Sequence, residues 1–183
     1  AQYFKYIDGR DVCRYWIGWS GEYLKYGDNL REPRNNFELF STKRILVRQI
    51  PSKPPYCINA CLTEETFLND RNSMNIIYMK DIPELLLGII NSRLISFWFM
   101  HKFGKLQRGI FPQFKVNELA IFPIAKNRER FKNEIIVLVR KIINAKSENV
   151  KANTLEYECK IDDMVYKLYG LTNKEIKIVK GEI

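Results

Sequence analysis

A length of 183 residues suits one domain, or one domain with a small helical appendage. Hydrophobic and aromatic fractions of 46% and 13% support a packed core and exclude an intrinsically disordered segment. Thirty Lys and Arg against 21 Asp and Glu leave a formal charge of +9. That excess points to polyanionic partners, because cations that meet phosphates release condensed counterions.

The chain opens Ala1-Gln2-Tyr3, with neither initiator Met nor signal peptide, and reads as a fragment lacking an upstream part. The first 80 residues read as strands and turns. Over 12–19, Arg14, Trp16 and Gly18 alternate with Tyr15, Ile17 and Trp19, the two-residue period of a strand. Gly21 and Gly27-Asp28-Asn29 punctuate the next stretch as turns. Residues 44–50 hold an apolar centre, Ile45-Leu46-Val47, closed by Pro51 and Pro54-Pro55. Residues 56–62 alternate again, and 75–79 give one more strand.

At Asp81 the pattern changes. Asp81-Ile82-Pro83-Glu84 opens a helix, with Pro tolerated in the first turn. Leu86, Ile90, Leu94, Phe97 and Trp98 recur at helical spacing up to Gly104, predicting one long buried helix. Its apolar run, 85–100, contains Arg93, and an Arg near the centre of a membrane span costs about 2.5–3.5 kcal/mol. Burial inside the protein is the better reading. Lys105-Leu106-Gln107-Arg108-Gly109 forms a basic loop, 114–116 a short strand, and 117–123 completes a domain over 1–125. Residues 126–183 read as a helical hairpin or tail. Phe131, Ile135, Leu138, Val139 and Ile142 make one stripe; Tyr157, Ile161, Met164, Val165 and Leu168 make another, stopped by Gly170. Residues 147–153 link them, and Thr172-Asn173-Lys174-Glu175 is a capping box that opens a third helix. The fold class is therefore α+β.

Catalytic signatures are scarce. His101 is the only histidine, and neither a P-loop nor a dinucleotide fingerprint is present. Cys57 and Cys61 lack the partners for a four-ligand zinc site, so Cys13, Cys57, Cys61 and Cys159 read as free thiols in a reducing cytoplasm. Lys53-Pro54-Pro55-Tyr56 looks like the Asn/Asp-Pro-Pro-Tyr motif of amino-methylating enzymes, but Lys53 supplies only donors where that chemistry needs an acceptor. Glu158-Cys159-Lys160 and Glu175-Ile176-Lys177 echo the end of a metal-dependent nuclease site, yet both fall on predicted helices and read as solvated faces. No cofactor and no metal is expected in this stretch.

Cations and amides on turns and short strands remain. Arg10, Arg14, Arg31 and Arg34 come with Tyr15, Trp16, Tyr23 and Tyr26. Lys43, Arg44, Arg48, Gln49 and Lys53 surround one strand, and Lys105, Gln107, Arg108 and Lys115 surround the basic loop. Arg and Lys neutralise phosphates, while Arg and Gln also pair with guanine and adenine edges.

These residues carry a resemblance. Ile7-Asp8-Gly9-Arg10-Asp11-Val12-Cys13-Arg14-Tyr15, then Gly21-Glu22-Tyr23-Leu24 and Asn29-Leu30-Arg31-Glu32-Pro33-Arg34, resemble the TaqI-like C-terminal specificity domain. Lys43-Arg44-Ile45-Leu46-Val47-Arg48 is similar to that family's basic-flanked strand. The Leu87-Gly88-Ile89-Ile90-Asn91-Ser92-Arg93-Leu94 core is similar to its helix, and Gly109-Ile110-Phe111-Pro112-Gln113-Phe114 with Leu119-Ala120-Ile121-Phe122-Pro123 to its closing loop. The ordered pieces span about residues 4–125, and 161–172 look like the helical tail often found after such domains.

The resemblance implies a β-rich target-recognition domain of bacterial and archaeal adenine-N6 DNA methyltransferases, or of type IIG restriction–modification enzymes in which such a protein is fused to an endonuclease. It implies a non-catalytic, cytoplasmic module reading double-stranded DNA, with no membrane partner. An upstream domain of the same parent chain would bind S-adenosylmethionine and transfer the methyl group. Two other readings stand beside it: a protein-interaction module docking a partner subunit through its helices, and a nuclease fragment using the acidic residues of the C-terminal helices.

Overall fold

The computed structural model describes residues 2–104, 113–126 and 129–183. Lys105, Gln107 and Arg108, with the rest of the basic loop, lie outside the described residues. The expected alternation forms two small sheets and a hairpin. In the first sheet β1 (Tyr3–Ile7) is central. The hairpin pairs β2 (Val12–Cys13) with β3 (Trp16–Ile17), and β4 (Tyr23–Lys25) runs antiparallel to β1. Four residues, Glu38–Ser41, then form the short helix α1. Strand β5 (Arg44–Arg48) lies between β6 (Ala60–Thr63) and β8 (Ser73–Ile76), antiparallel to both, while β7 (Phe67–Asn69) returns to pair parallel with β1.

As the central strand of its sheet, β5 is covered on both faces, which is why its apolar run is continuous. Ile45 and Val47 enter the main core; Leu46 joins Ile7, Val12, Cys61 and Phe67 in a second cluster between the two sheets.

The single long helix expected from Asp81 to Gly104 is two helices, α2 (Pro83–Ile90) and α3 (Arg93–Lys102). The apolar stripe runs through the break and concealed it. Asn91 turns its amide away from the helix and onto β6: its Nδ2 donates to Ala60 O (2.9 Å), and its Oδ1 accepts from Ala60 N–H (3.0 Å). Ser92 then caps α3, its hydroxyl accepting from Ile95 N–H. No helix among the described residues is long and apolar enough to cross a membrane.

The short strand expected at 114–116 is absent. Phe114 instead donates its N–H to Gln49 O (2.7 Å), alongside the end of β5. Glu118 accepts from Lys115 N–H (2.9 Å), and this cap starts α4 at Val116 (Val116–Ala120).

Three helices complete the chain: α5 (Lys132–Glu148), α6 (Leu155–Leu168) and α7 (Asn173–Lys180). The capping box read from the sequence opens α7, and Gly181, in the left-handed region at φ 69°, closes it. Their apolar stripes pack into the chain's own core. Ile135, Val139, Ile161 and Val165 are buried in the same cluster as Ile45 and Val47. The α2–α5 crossing is tight: a Cβ on Gly88 would stand 2.9 Å from Ile135 Cγ2 and 3.0 Å from Val139 Cγ2. The packing is therefore continuous across residue 125.

Candidate nucleic-acid interface

Two neighbouring depressions meet at the end of β5. The smaller, about 200 Å³, is lined by Asp8, Gly9, Arg10, Arg48, Ile50 and Asn72. The larger, about 890 Å³, is lined by Gln49, Arg31, Arg34 and Arg71, and also by the acidic Glu32 and Asp70. Their common wall is a backbone contact in which Gln49 N–H donates to Asn72 O (2.8 Å). The end of β5 thus presents Arg48 to one hollow, and the bend after it presents Gln49 to the other.

Local geometry explains why these residues sit there. Asp70 accepts from both Asn72 N–H (2.9 Å) and Asn72 Nδ2 (2.7 Å), which shapes the turn whose middle residue is Arg71. A Cβ on Gly9 would come within 2.7 Å of Asn72 O, so only glycine lets the two turns touch. Arg31 and Arg34 ride on the loop over 26–37. Its far end is anchored by the Tyr26 hydroxyl, which donates to Arg34 O, while the Tyr26 ring packs on Phe37 and Phe40. The side chains of Arg31, Arg34, Arg48, Gln49 and Arg71 form no hydrogen bond or ion pair among the described residues.

Arg71 escaped the sequence reading. Its signal was the turn composition Asn69-Asp70-Arg71-Asn72, which carries a cation on a loop tip.

Not every expected contact residue is available. Arg44 is fully buried between the two sheets. Its guanidinium donates to Asn75 Oδ1 (3.1 Å) and to the carbonyls of Thr42 (3.3 Å), Glu65 (3.1 Å) and Phe67 (2.9 Å). Burial pulls its pKa down to about 10, so it remains charged at neutral pH. Arg44 is structural, which corrects the expectation.

Arg14 is corrected likewise. It pairs with Glu158 of α6, donates to Asn91 O (2.5 Å), and lies 4.2 Å over the Tyr56 ring. Lys43 stands at the opposite end of β5 from Arg48, about 17 Å away at the rise of an extended chain, and is bridged to Glu64 (2.7 Å). The five residues grouped around that strand are therefore split between its two ends.

Arg10 pairs with Asp8 (2.7 Å), which holds the Asp8 carboxyl below the usual range, yet most of the Arg10 side chain stays in solvent and within reach of a phosphate. Lys53 is exposed before the cis Pro54–Pro55 bond, and Lys115 is exposed at the start of α4, next to Phe114 in the larger hollow.

The decoy motifs all have structural roles. The Tyr56 hydroxyl donates to Asp162 Oδ2 (2.7 Å). Glu158 holds Arg14 and accepts from the Thr154 hydroxyl (2.8 Å), while Glu175 is the reciprocal member of the α7 capping box. His101 stacks on Phe97 at the exposed end of α3. Burial pushes the Cys57 thiol up to about 11 and Cys61 higher still, opposite to what a metal ligand needs. No group of three or more His, Cys, Asp or Glu side chains is placed to hold a metal among the described residues.

Asp162 yields a pH prediction. It is buried, accepting from Tyr56 and from Arg93 N–H (2.8 Å), and desolvation raises its pKa above 3.8. The folded protein thus binds this proton more tightly than the unfolded chain. The resulting stabilisation is present in full below the unfolded value and is lost as pH rises through the folded one. Asp162→Asn keeps an acceptor for Arg93 and has no proton to lose. Its urea midpoint is expected to fall less than that of the wild type between about pH 4 and pH 7.

No curated protein matches the chain. A family model, the TaqI-like C-terminal specificity domain, matches residues 4–124, which takes in both sheets, both hollows, and α1 to α4. The chain belongs to the family of TaqI-like C-terminal specificity domains, DNA-recognition modules of restriction–modification enzymes.

Proposed function

We propose that this chain is the target-recognition module of an adenine-N6 DNA methyltransferase, alone or fused to an endonuclease as in type IIG restriction–modification enzymes. It reads double-stranded DNA and leaves the chemistry to a preceding domain of the same parent, which binds S-adenosylmethionine. One observation carries the DNA-contacting assignment: Arg48, the last residue of β5, and Gln49, the next residue, open into adjoining hollows that Arg10, Arg31, Arg34 and Arg71 also line. The guanidinium groups of Arg31, Arg34, Arg48 and Arg71, without internal partners among the described residues, suit phosphate contact, and the amide beside them suits a base edge. The helical stripes that a protein-docking reading needs free are buried in the chain's own core.

The test is a fluorescence-anisotropy titration with a labelled duplex over a range of salt. The logarithm of affinity should fall linearly with the logarithm of salt, and Arg48→Ala should weaken binding to all sequences alike while reducing the slope by about one contact. Duplex binding that ignores salt, or an Arg48→Ala slope equal to the wild type, would refute the assignment.

A further inference from the structure

A base pair shows its edges at the floor of a groove, so the part of a protein that reads it must stand proud of its surroundings. The wall between the two hollows meets that condition. It is made by the end of β5 and by the turn over 70–72, joined where Gln49 N–H donates to Asn72 O. Towards the smaller hollow it carries Asn72, half-buried, and Ile50, exposed.

The Asn72 amide is held in one orientation. Asp70 Oδ1 accepts its backbone N–H (2.9 Å), and Asp70 Oδ2 accepts Nδ2 (2.7 Å). A carboxylate only accepts, so this contact fixes which end of the amide is nitrogen. Asn72 is left with one side-chain N–H and Oδ1, neither with a partner among the described residues. A donor beside an acceptor complements the N7 and N6 amino group of adenine in the major groove. Guanine shows two acceptors there and would satisfy only the donor.

The rest of the smaller hollow agrees with an A·T pair. Ile50 brings an exposed apolar side chain next to the amide, suited to the C5-methyl that thymine alone carries. Asp8, whose charge would repel phosphates, is occupied by Arg10 through Nε (3.0 Å) and a terminal nitrogen (2.7 Å). Arg10 and Arg48 stand on the same lining as cations for the flanking backbone.

We propose that Asn72 and Ile50 are specificity-determining residues that together read one A·T pair through the major groove. Asn72 meets the adenine, Ile50 meets the thymine methyl, and Asp70 is the positioning residue for the amide. The inference rests on the DNA-recognition reading and names the base pair that the smaller hollow selects.

The test begins with selection by the 183-residue chain from a duplex library with a randomised centre. The selected duplex is then titrated with 7-deazaadenine, which lacks the N7 acceptor, or uracil, which lacks the methyl group, placed at each A·T pair in turn. At one pair both replacements should weaken binding by the wild type. Asn72→Ala should lower the preference for A·T at that pair alone by roughly 5- to 150-fold and be indifferent to 7-deazaadenine there. Ile50→Ala should be indifferent to uracil and still sense 7-deazaadenine. Asp70→Asn, which keeps an acceptor for the amide, should retain the preference that Asp70→Ala loses.

A selected site without an A·T pair, or 7-deazaadenine penalties equal in wild type and Asn72→Ala at every position, would overturn the proposal and leave duplex recognition standing. A uracil penalty unchanged in Ile50→Ala would remove Ile50 from it. Selection that enriches no sequence would overturn the DNA-recognition reading itself.

Discussion

Replacing Arg44 with alanine is expected to lower the stability of the protein by on the order of 3–5 kcal/mol, a large share of the roughly 5–15 kcal/mol that a domain has to lose. The side chain is fully buried, and its truncation strands four oxygen acceptors: Asn75 Oδ1 and the carbonyls of Thr42, Glu65 and Phe67. A buried group left without its partner costs about 1–3 kcal/mol. The total is less than four such losses, because removing a desolvated guanidinium also relieves its own burial penalty. Arg44→Lys should be intermediate, since its three donors radiate from one nitrogen and cannot span the planar fork. Urea unfolding decides the matter. A midpoint equal to the wild type, coupled with weakened duplex binding, would return Arg44 to the DNA-contacting set.

The opposite outcome is expected for Arg31, Arg34 and Arg71. Converting all three to alanine should leave the urea midpoint close to the wild-type value, because none has an internal partner among the described residues and surface changes usually stay within about 0.5 kcal/mol. Duplex affinity should drop steeply. If each arginine neutralises one phosphate, the slope of log affinity against log salt loses roughly 2.7, and the deficit is largest at low salt. An unchanged slope would show that these guanidinium groups meet no phosphate. Together the two variants separate a stability cation from a binding cation within one sheet system.

That separation was beyond the reach of sequence reading. Arg14, Arg44 and Arg48 all look alike in one dimension: each is a cation beside a short apolar or aromatic run. What divides them is distant in the chain. Arg14 is enclosed by Glu158, 144 residues away, and Arg44 by the carbonyls of Glu65 and Phe67, 21 and 23 residues on, which only the folded chain brings to it. The apolar centre of β5, the stripes of α5 and α6, and the capping box of α7 were legible because each is a local pattern with a fixed period or spacing. The break between α2 and α3 was not, since the stripe continues across it and the competing partner of Asn91 is the edge of β6. Arg71 was overlooked for a related reason: its importance comes from the turn that places it beside Gln49, not from charge density around it.

The joint made by Arg14, Tyr56, Glu158 and Asp162 bears on how this module would travel between enzymes. A graft ending at residue 125 would carry Arg14 and Tyr56 without their carboxylates and leave bare the faces that Ile135, Val139 and Ile161 cover. The portable unit is the recognition body together with its helices, and a hybrid that inherits one without the other inherits an orphaned cation at the seam.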